Sequence, residues 1–259
     1  MAKPLVRDVL YQASLLLKDS APQFSRWKVR ELVGWLNDGQ RALAKYVPIA
    51  SSRVDSIRLV AGARQSINAI PAARVIPGDG SAPQDVTGLS INDIVRNMGS
   101  DGATAGLSVT VVSRDFLESF SRGWSAEPAA ESIDHYTHDP QTPDVFYVYP
   151  PSDGTGWVEV SYVAEPKQVP LPPSDADYAV GGSSAEVLGV DARWQDDIVN
   201  YVVARALMKD GQDAANMALS QSFAGMFVNS INAQVQVLTG KNPNLKHLPL
   251  SPQVPAAAS

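Results

Sequence analysis

The stretch PDVFYVYPPSDGTGWVEVSYVAEP, Pro143–Pro166, decides how the middle of this chain folds. Val145–Tyr149 is a compact run of β-branched and aromatic residues, the types that fit a pleated, half-buried surface. PPSDGTG at Pro150–Gly156 follows as turn punctuation. From Trp157 the pattern alternates, with Val158, Val160 and Tyr162 on one side and Trp157, Glu159 and Ser161 on the other. A strand buried on one face has this period of two, so the segment predicts a β-hairpin.

Immediately upstream lies HYTHDP, His135–Pro140, which holds two of the chain's three histidines. With Asp139 they could form a two-histidine, one-carboxylate metal set if a loop folded both rings together. Pro140 and Pro143 deny a helix, and on a strand positions three apart point to opposite faces. The plainer reading is a polar turn leading into the Val145–Tyr149 strand, with no metal.

Earlier in the middle, Ile57, Leu59 and Ala61 alternate with Ser56, Arg58 and Val60, and Gly62–Ala63 signals a turn. Gln65–Ile70 is the expected return strand. Leu107, Val109 and Val111 alternate with Ser108, Thr110 and Val112 and read as one more strand. SRDFLESF, Ser113–Phe120, reads as a short helix whose Asp115 and Glu118 complement its N-terminal dipole. GSDGATAG at Gly99–Gly106 lacks the Lys-Ser/Thr of a phosphate-binding loop. No G-x-S-x-G elbow and no acid–base carboxylate pair stands out, so no catalytic residue and no cofactor site is assigned.

Both ends of the chain are helical in pattern. Val6, Val9, Leu10, Ala13, Leu16 and Leu17 recur at helical spacing up to about Asp19. A second helix is expected from Ser25 as N-cap, with Val29, Leu32, Val33, Leu36, Leu43 and Val47 as its apolar stripe and Pro48 as its stop. Helix returns at Asp191, where Ile198, Val199, Val202, Val203, Ala206 and Leu207 mark a buried face. It resumes as a row at every fourth position through Ala215, Leu219, Phe223, Phe227, Ile231 and Val235.

The expected fold class is therefore α+β. The N- and C-terminal helices (1–50 and 191–240) form a helical bundle, an antiparallel β-rich domain (51–173) is inserted between them, and 174–190 is a loop. Residues 241–259 form an extended tail, in which Leu245, Leu248 and Leu250 have no local core to join.

Composition narrows the function. The chain has 259 residues, 44% of them hydrophobic, enough for a substantial core. No apolar run spans a bilayer, and the charges at Arg7 and Asp8 argue against a signal peptide. The absence of cysteine excludes disulfides and thiolate metal sites and fits a reducing cytoplasm. The net charge is −6 and no Lys/Arg cluster is expected anywhere, which disfavours a specific DNA binder yet suits a surface past which DNA slides.

Five segments occur together, in order, in one known family. They are WLNDGQRALAKYVP (Trp35–Pro48), VRNMGSDG (Val95–Gly102), VSRDFLESFSRGW (Val112–Trp124), the Pro143–Pro166 stretch, and DDIVNYVVARALMKDGQDAANMALSQSF (Asp196–Phe223). The chain resembles, over roughly Val6–Leu238, the head-to-tail adaptors of short-tailed bacteriophages, also called tail tubular or gatekeeper adaptors. The resemblance implies a non-enzymatic virion protein, assembled in the host cytoplasm. It implies a homo-oligomeric, dodecameric ring between the portal protein and the tail nozzle, with genomic DNA passing through its lumen. It also implies that Trp35, Asn37, Gln40, Pro143, Phe146, Pro150 and Tyr162 are architectural. The expected subunit-interface residues are Trp124, His135, His138, Tyr149 and Trp157, and the tail with Leu245, Leu248 and Leu250 is expected to lie along the portal. The histidines would then make assembly pH-sensitive. Two rival readings are a metal-dependent hydrolase using His135, His138 and Asp139, and a receptor- or glycan-binding module built on the β-rich middle.

Overall fold

The computed structural model describes residues 3–19, 24, 26–179, 181–209 and 213–241, the last four without side chains. The chain begins with α1 (Val6–Leu17) and α2 (Val29–Tyr46), followed by β1 (Ser52–Arg58), β2 (Gly62–Ser66), β3 (Val75–Pro77) and β4 (Gly88–Met98). Next come β5 (Ala105–Ser108), β6 (Thr110–Val111), α3 (Arg114–Phe120), β7 (His135–His138), β8 (Val145–Ser152) and β9 (Trp157–Ala164). The chain closes with α4 (Gln195–Lys209) and α5 (Ala214–Lys241). It is an α+β fold in two compact units, one reaching to Ser51 and resuming at Pro166, the other Ser52–Glu165.

The helical unit is built around α4, which packs against α1, α2 and α5. Its core joins Val6, Leu10, Leu32, Leu36, Trp194 and Val202, all buried. α1 ends where Lys18 adopts a left-handed conformation and the Asp19 N–H donates to the Ser14 carbonyl at 3.1 Å. α2 starts later than its pattern predicts: Lys28, with no side-chain cap, precedes Val29, and Ser25 lies outside the described residues. The every-fourth row of α5 is also corrected. Each step of four residues turns the helix about 40° past a full circle. The row therefore begins on solvent at Ala215 and Leu219, packs against the core at Phe223 and Val235, and is buried in it at Phe227 and Ile231.

Two buried amides on α2 hold the chain that re-enters this unit. Asn37 donates its Nδ2 to the Val169 carbonyl at 2.9 Å and accepts the Val169 N–H on Oδ1 at 2.8 Å. Gln40 accepts the Gly189 N–H at 2.6 Å and donates to Asn37 Oδ1 at 3.2 Å. The Ser174–Gly189 segment has a short 3-10 turn at Asp175–Tyr178 closed by a capping box on Ser174. The N-terminal residues tie it down, because Val6 donates to the Glu186 carbonyl at 2.9 Å and Leu188 donates to Pro4 at 3.0 Å.

The β unit is two sheets sharing one core. One has the order β3-β1-β9-β4-β5, the other β2-β8-β7-β6, and every pairing is antiparallel except β6 with β7. The hairpin expected at Pro143–Pro166 does not form. β8 pairs with β2 and β7, whereas β9 pairs with β1 and β4, so the turn carries the chain from one sheet to the other. Phe146 and Val148 belong to the same buried cluster as Val158, Val160 and Tyr162, and they come from the opposite sheet. The period of two is the same for a hairpin and for an arch, so alternation alone does not choose between them.

The other two expected strand features cross as well. β1 and β2 fall in different sheets, and the single strand read around Val109 is divided into β5 and β6, one per sheet. The two longer arches seat on each other. The Leu59 N–H donates to the Gly156 carbonyl at 2.9 Å, and Gln65 exchanges two hydrogen bonds with the Val60 backbone at 2.7 and 2.8 Å. A Cβ on Gly156 would stand 1.9 Å from the Glu131 carbonyl oxygen, so only glycine fits there. The true hairpin lies one step upstream. β7 and β8 pair around a turn at residues 139–144, where Asp139 Oδ1 accepts the Gln141 N–H at 2.8 Å. HYTH is therefore a strand and not the polar turn its composition suggests.

Polar anchors complete this core. Asn97 donates to the Ile133 carbonyl at 2.7 Å and accepts its N–H at 2.9 Å. Tyr162 donates its hydroxyl to Asp55 Oδ2 at 2.7 Å, and Tyr136 donates to Asp93 at 2.7 Å. Burial first, and then these carboxylates, push both phenols well above the ordinary tyrosine range. A group whose pKa is raised by folding binds its proton more tightly in the native state. The stability it contributes is full below the ordinary tyrosine value of about 10 and is lost as pH rises from there toward the folded value. Alkaline titration followed by circular dichroism is expected to show unfolding above pH of about 10, and Tyr136→Phe is expected to weaken that dependence.

Candidate interaction surface

The outer face of the β2-β8-β7-β6 sheet carries the largest concentration of the residues singled out from sequence. Antiparallel pairing sets His135 opposite Tyr149 and Thr137 opposite Tyr147. The His135 and Tyr149 rings stack at 6.2 Å with 10° between planes. α3 is laid over them, capped by the Ser113 side chain, which accepts the Phe116 N–H. Its seven residues put Phe116 edge-on to His135 at 6.3 Å and Phe120 edge-on to Tyr149 at 6.2 Å. The 3-10 turn Trp124–Ala126 sets the buried Trp124 against Tyr147 at 6.1 Å. Tyr149 donates to Glu127 at 2.9 Å, and that bond first, with desolvation second, raises its pKa.

α3 covers the sheet but is not itself covered. Phe116 and Phe120 are 50% and 68% exposed although they stack on each other. Beside them lies an open pocket of about 710 Å³ lined by Ala63, Arg64, Arg114, Glu118, Arg122, Trp124, Ser125 and Tyr147. Arg114 donates to Glu118 at 2.7 Å, which holds its guanidinium above the ordinary range. Arg64 thus meets Arg114 and Arg122, distant from it in sequence, on one surface, a basic cluster that corrects the expectation of none. Arg64 reaches it from β2 and the others from α3 and the turn after it. The Phe116–Phe120 pair was missed among the candidates, although two aromatics four apart in a short helix are the signal that could have found it.

The remaining candidates fall elsewhere. His138 lies on the opposite face of β7 from His135, its ring stacked on Tyr136 at 6.0 Å. The two imidazoles therefore cannot converge on one ion with Asp139, and among the described residues no three His, Cys, Asp or Glu side chains form a metal-ligand group. Trp157 is on β9 in the other sheet, opposite Met98 and against Gly102. Leu245, Leu248 and Leu250 lie outside the described residues.

A two-unit α+β chain whose most distinctive surface is an uncovered aromatic and arginine-lined face has the features of a structural, interaction-driven protein. The comparison with protein families agrees. The family model described as SU10 adaptor protein matches residues 5–245, nearly the whole chain, and the protein belongs to that family. It is a bacteriophage structural adaptor, a virion component that works in a complex with other head–tail proteins, and its family is not one of known enzymes. A search of curated proteins returned no match. Among the described residues no helix is long and apolar enough to cross a membrane.

Proposed function

We propose that this adaptor is the head-to-tail connector of a short-tailed bacteriophage. It assembles in the host cytoplasm as a dodecameric ring between the portal protein and the tail nozzle, and genomic DNA passes through its lumen. The observation that carries this reading is the family match over residues 5–245. The net charge of −6 supports it, since a predominantly acidic protein lets DNA slide without sticking. The exposed Phe116 and Phe120, with His135 and Tyr149 beneath them and Trp124 against the neighbouring Tyr147, supply one of the two different surfaces that a ring of identical copies needs. His138 and Trp157 would serve other contacts, and the tail with Leu245, Leu248 and Leu250 would lie along the portal.

Sedimentation of the chain alone and then with purified portal tests the reading. A single complex of portal plus a fixed number of adaptor copies is expected. Persistent separate sedimentation at micromolar concentrations, or electron microscopy placing the chain away from the connector, rules it out. Phe116→Ser with Phe120→Ser is expected to weaken assembly by about tenfold or more, the effect of losing roughly 1.4 kcal/mol of contact energy. The melting temperature should stay near wild type, because both rings are already half in water.

A further inference from the structure

We infer that α5 docks its outward face against α1 of a second copy. The inference rests on the ring reading above and goes beyond it by naming the helices that meet.

The evidence is the chemistry of α5. Of its 28 residues only the last, Lys241, is charged. At the chain's 19% charged content a helix of this length would carry about five charges. A helix that lies on a protein surface normally keeps charge on its outer side, and one without charge is normally enclosed. α5 is not enclosed. It is seated on α4 through Phe227, Ile231 and Ser220, whose hydroxyl donates to the Ala204 carbonyl at 2.8 Å. Phe227 also meets Tyr201 at 5.1 Å. On the opposite side Ala215, Leu219, Ser222, Met226, Asn229 and Ala233 are exposed, with Leu219 and Met226 at 50% and 51%. Their spacing of four, three, four, three and four is the 3.5-residue seam along which one helix receives another.

The occupant is constrained by the same chemistry. A partner that set charges on this seam would bury them unpaired, which is costly. A complementary uncharged stripe exists on the same unit. On α1, Tyr11, Leu15 and Leu16 are 38%, 52% and 49% exposed, and charge is confined to its ends at Arg7, Asp8 and Lys18. Both helices lean on α4. Each copy therefore offers two unlike apolar stripes, the arrangement a head-to-tail closed ring requires. α1 is 12 residues, about 18 Å long, against about 42 Å for α5. A contact limited by the shorter helix buries less than the roughly 800 Å² per partner of a stable pair. Two copies alone bind weakly, and the closed ring gathers the contacts.

The chain has no cysteine, so no native thiol of its own competes with the introduced pair. Leu15→Cys with Met226→Cys, carried by assembled phage particles and oxidised, is expected to give a ladder of covalent multimers on a denaturing gel. Each single variant is expected to stay monomeric. Rings of normal appearance that give no ladder overturn the α1–α5 contact and leave the adaptor reading standing. A covalent dimer from Met226→Cys alone also overturns it, because α5 then meets α5. Wild-type particles that lack this chain at the connector overturn both.

Discussion

Asp55→Ala is expected to destabilise the β unit by about 3–5 kcal/mol, the scale of removing one partner from a buried, hydrogen-bonded ionic group. Asp55 sits on β1 and is almost wholly buried. One oxygen accepts the Tyr162 hydroxyl at 2.7 Å and lies 3.1 Å from the Arg53 Nε. The other accepts the Gly78 N–H at 3.0 Å, which anchors the turn after β3. Alanine strands a buried phenol and a backbone donor and leaves Arg53 without its counter-charge. Domain stabilities are typically about 5–15 kcal/mol, so the loss is a large share of the total. Denaturant unfolding of the full chain measures it. Tyr162→Phe in the Asp55→Ala background should add little, because the hydroxyl has already lost its acceptor. A midpoint shift equivalent to under about 1 kcal/mol would show that the carboxylate is not an anchor.

The second large effect is expected at Asn37. Asn37→Leu keeps the volume but removes both hydrogen bonds to Val169 and the acceptor for Gln40. Each buried backbone group left unpaired costs about 1–3 kcal/mol, so a loss of about 3 kcal/mol is expected. The consequence is local before it is global, because Lys167–Val169 is the segment by which the chain re-enters the helical unit. Hydrogen exchange should speed up at the Val169 and Gly189 amides while amides on β9 keep their protection. Unchanged exchange at Val169 would exclude the clip. Asn37→Asp is a second variant: it retains the acceptor for the Val169 N–H and sets a buried carboxylate oxygen against the Val169 carbonyl in place of the donor.

Both sites show where local reading stops. Asn37 and Gln40 were marked as architectural only by the family resemblance, whereas Tyr162 shares a visible stripe with Val158 and Val160, so its burial alone was legible. Their partners were not, since Val169 is 132 residues from Asn37 and Tyr162 is 107 from Asp55. The candidate surface divides in the same way. His135, Tyr149 and Trp124 stood out by residue type, but the arginine cluster beside them exists only because β2 brings Arg64 next to α3. His135 and His138 drew attention for chelation, and the strand that contains them sets them on opposite faces.

Residue periodicity by itself determined the helices at both ends, the β-rich middle and the inward side of β9, because burial of one face imposes a repeat of about 3.6 or two residues on any sequence. Tertiary structure alone decided which strands became neighbours. A period of two is satisfied equally by a partner alongside and by a sheet across the core. The choice of arches over hairpins at Gly62, Val109 and Gly154 therefore came from contacts distant in sequence: Gln65 closing one arch, Gly156 seated against Glu131, and Asp55 holding Tyr162.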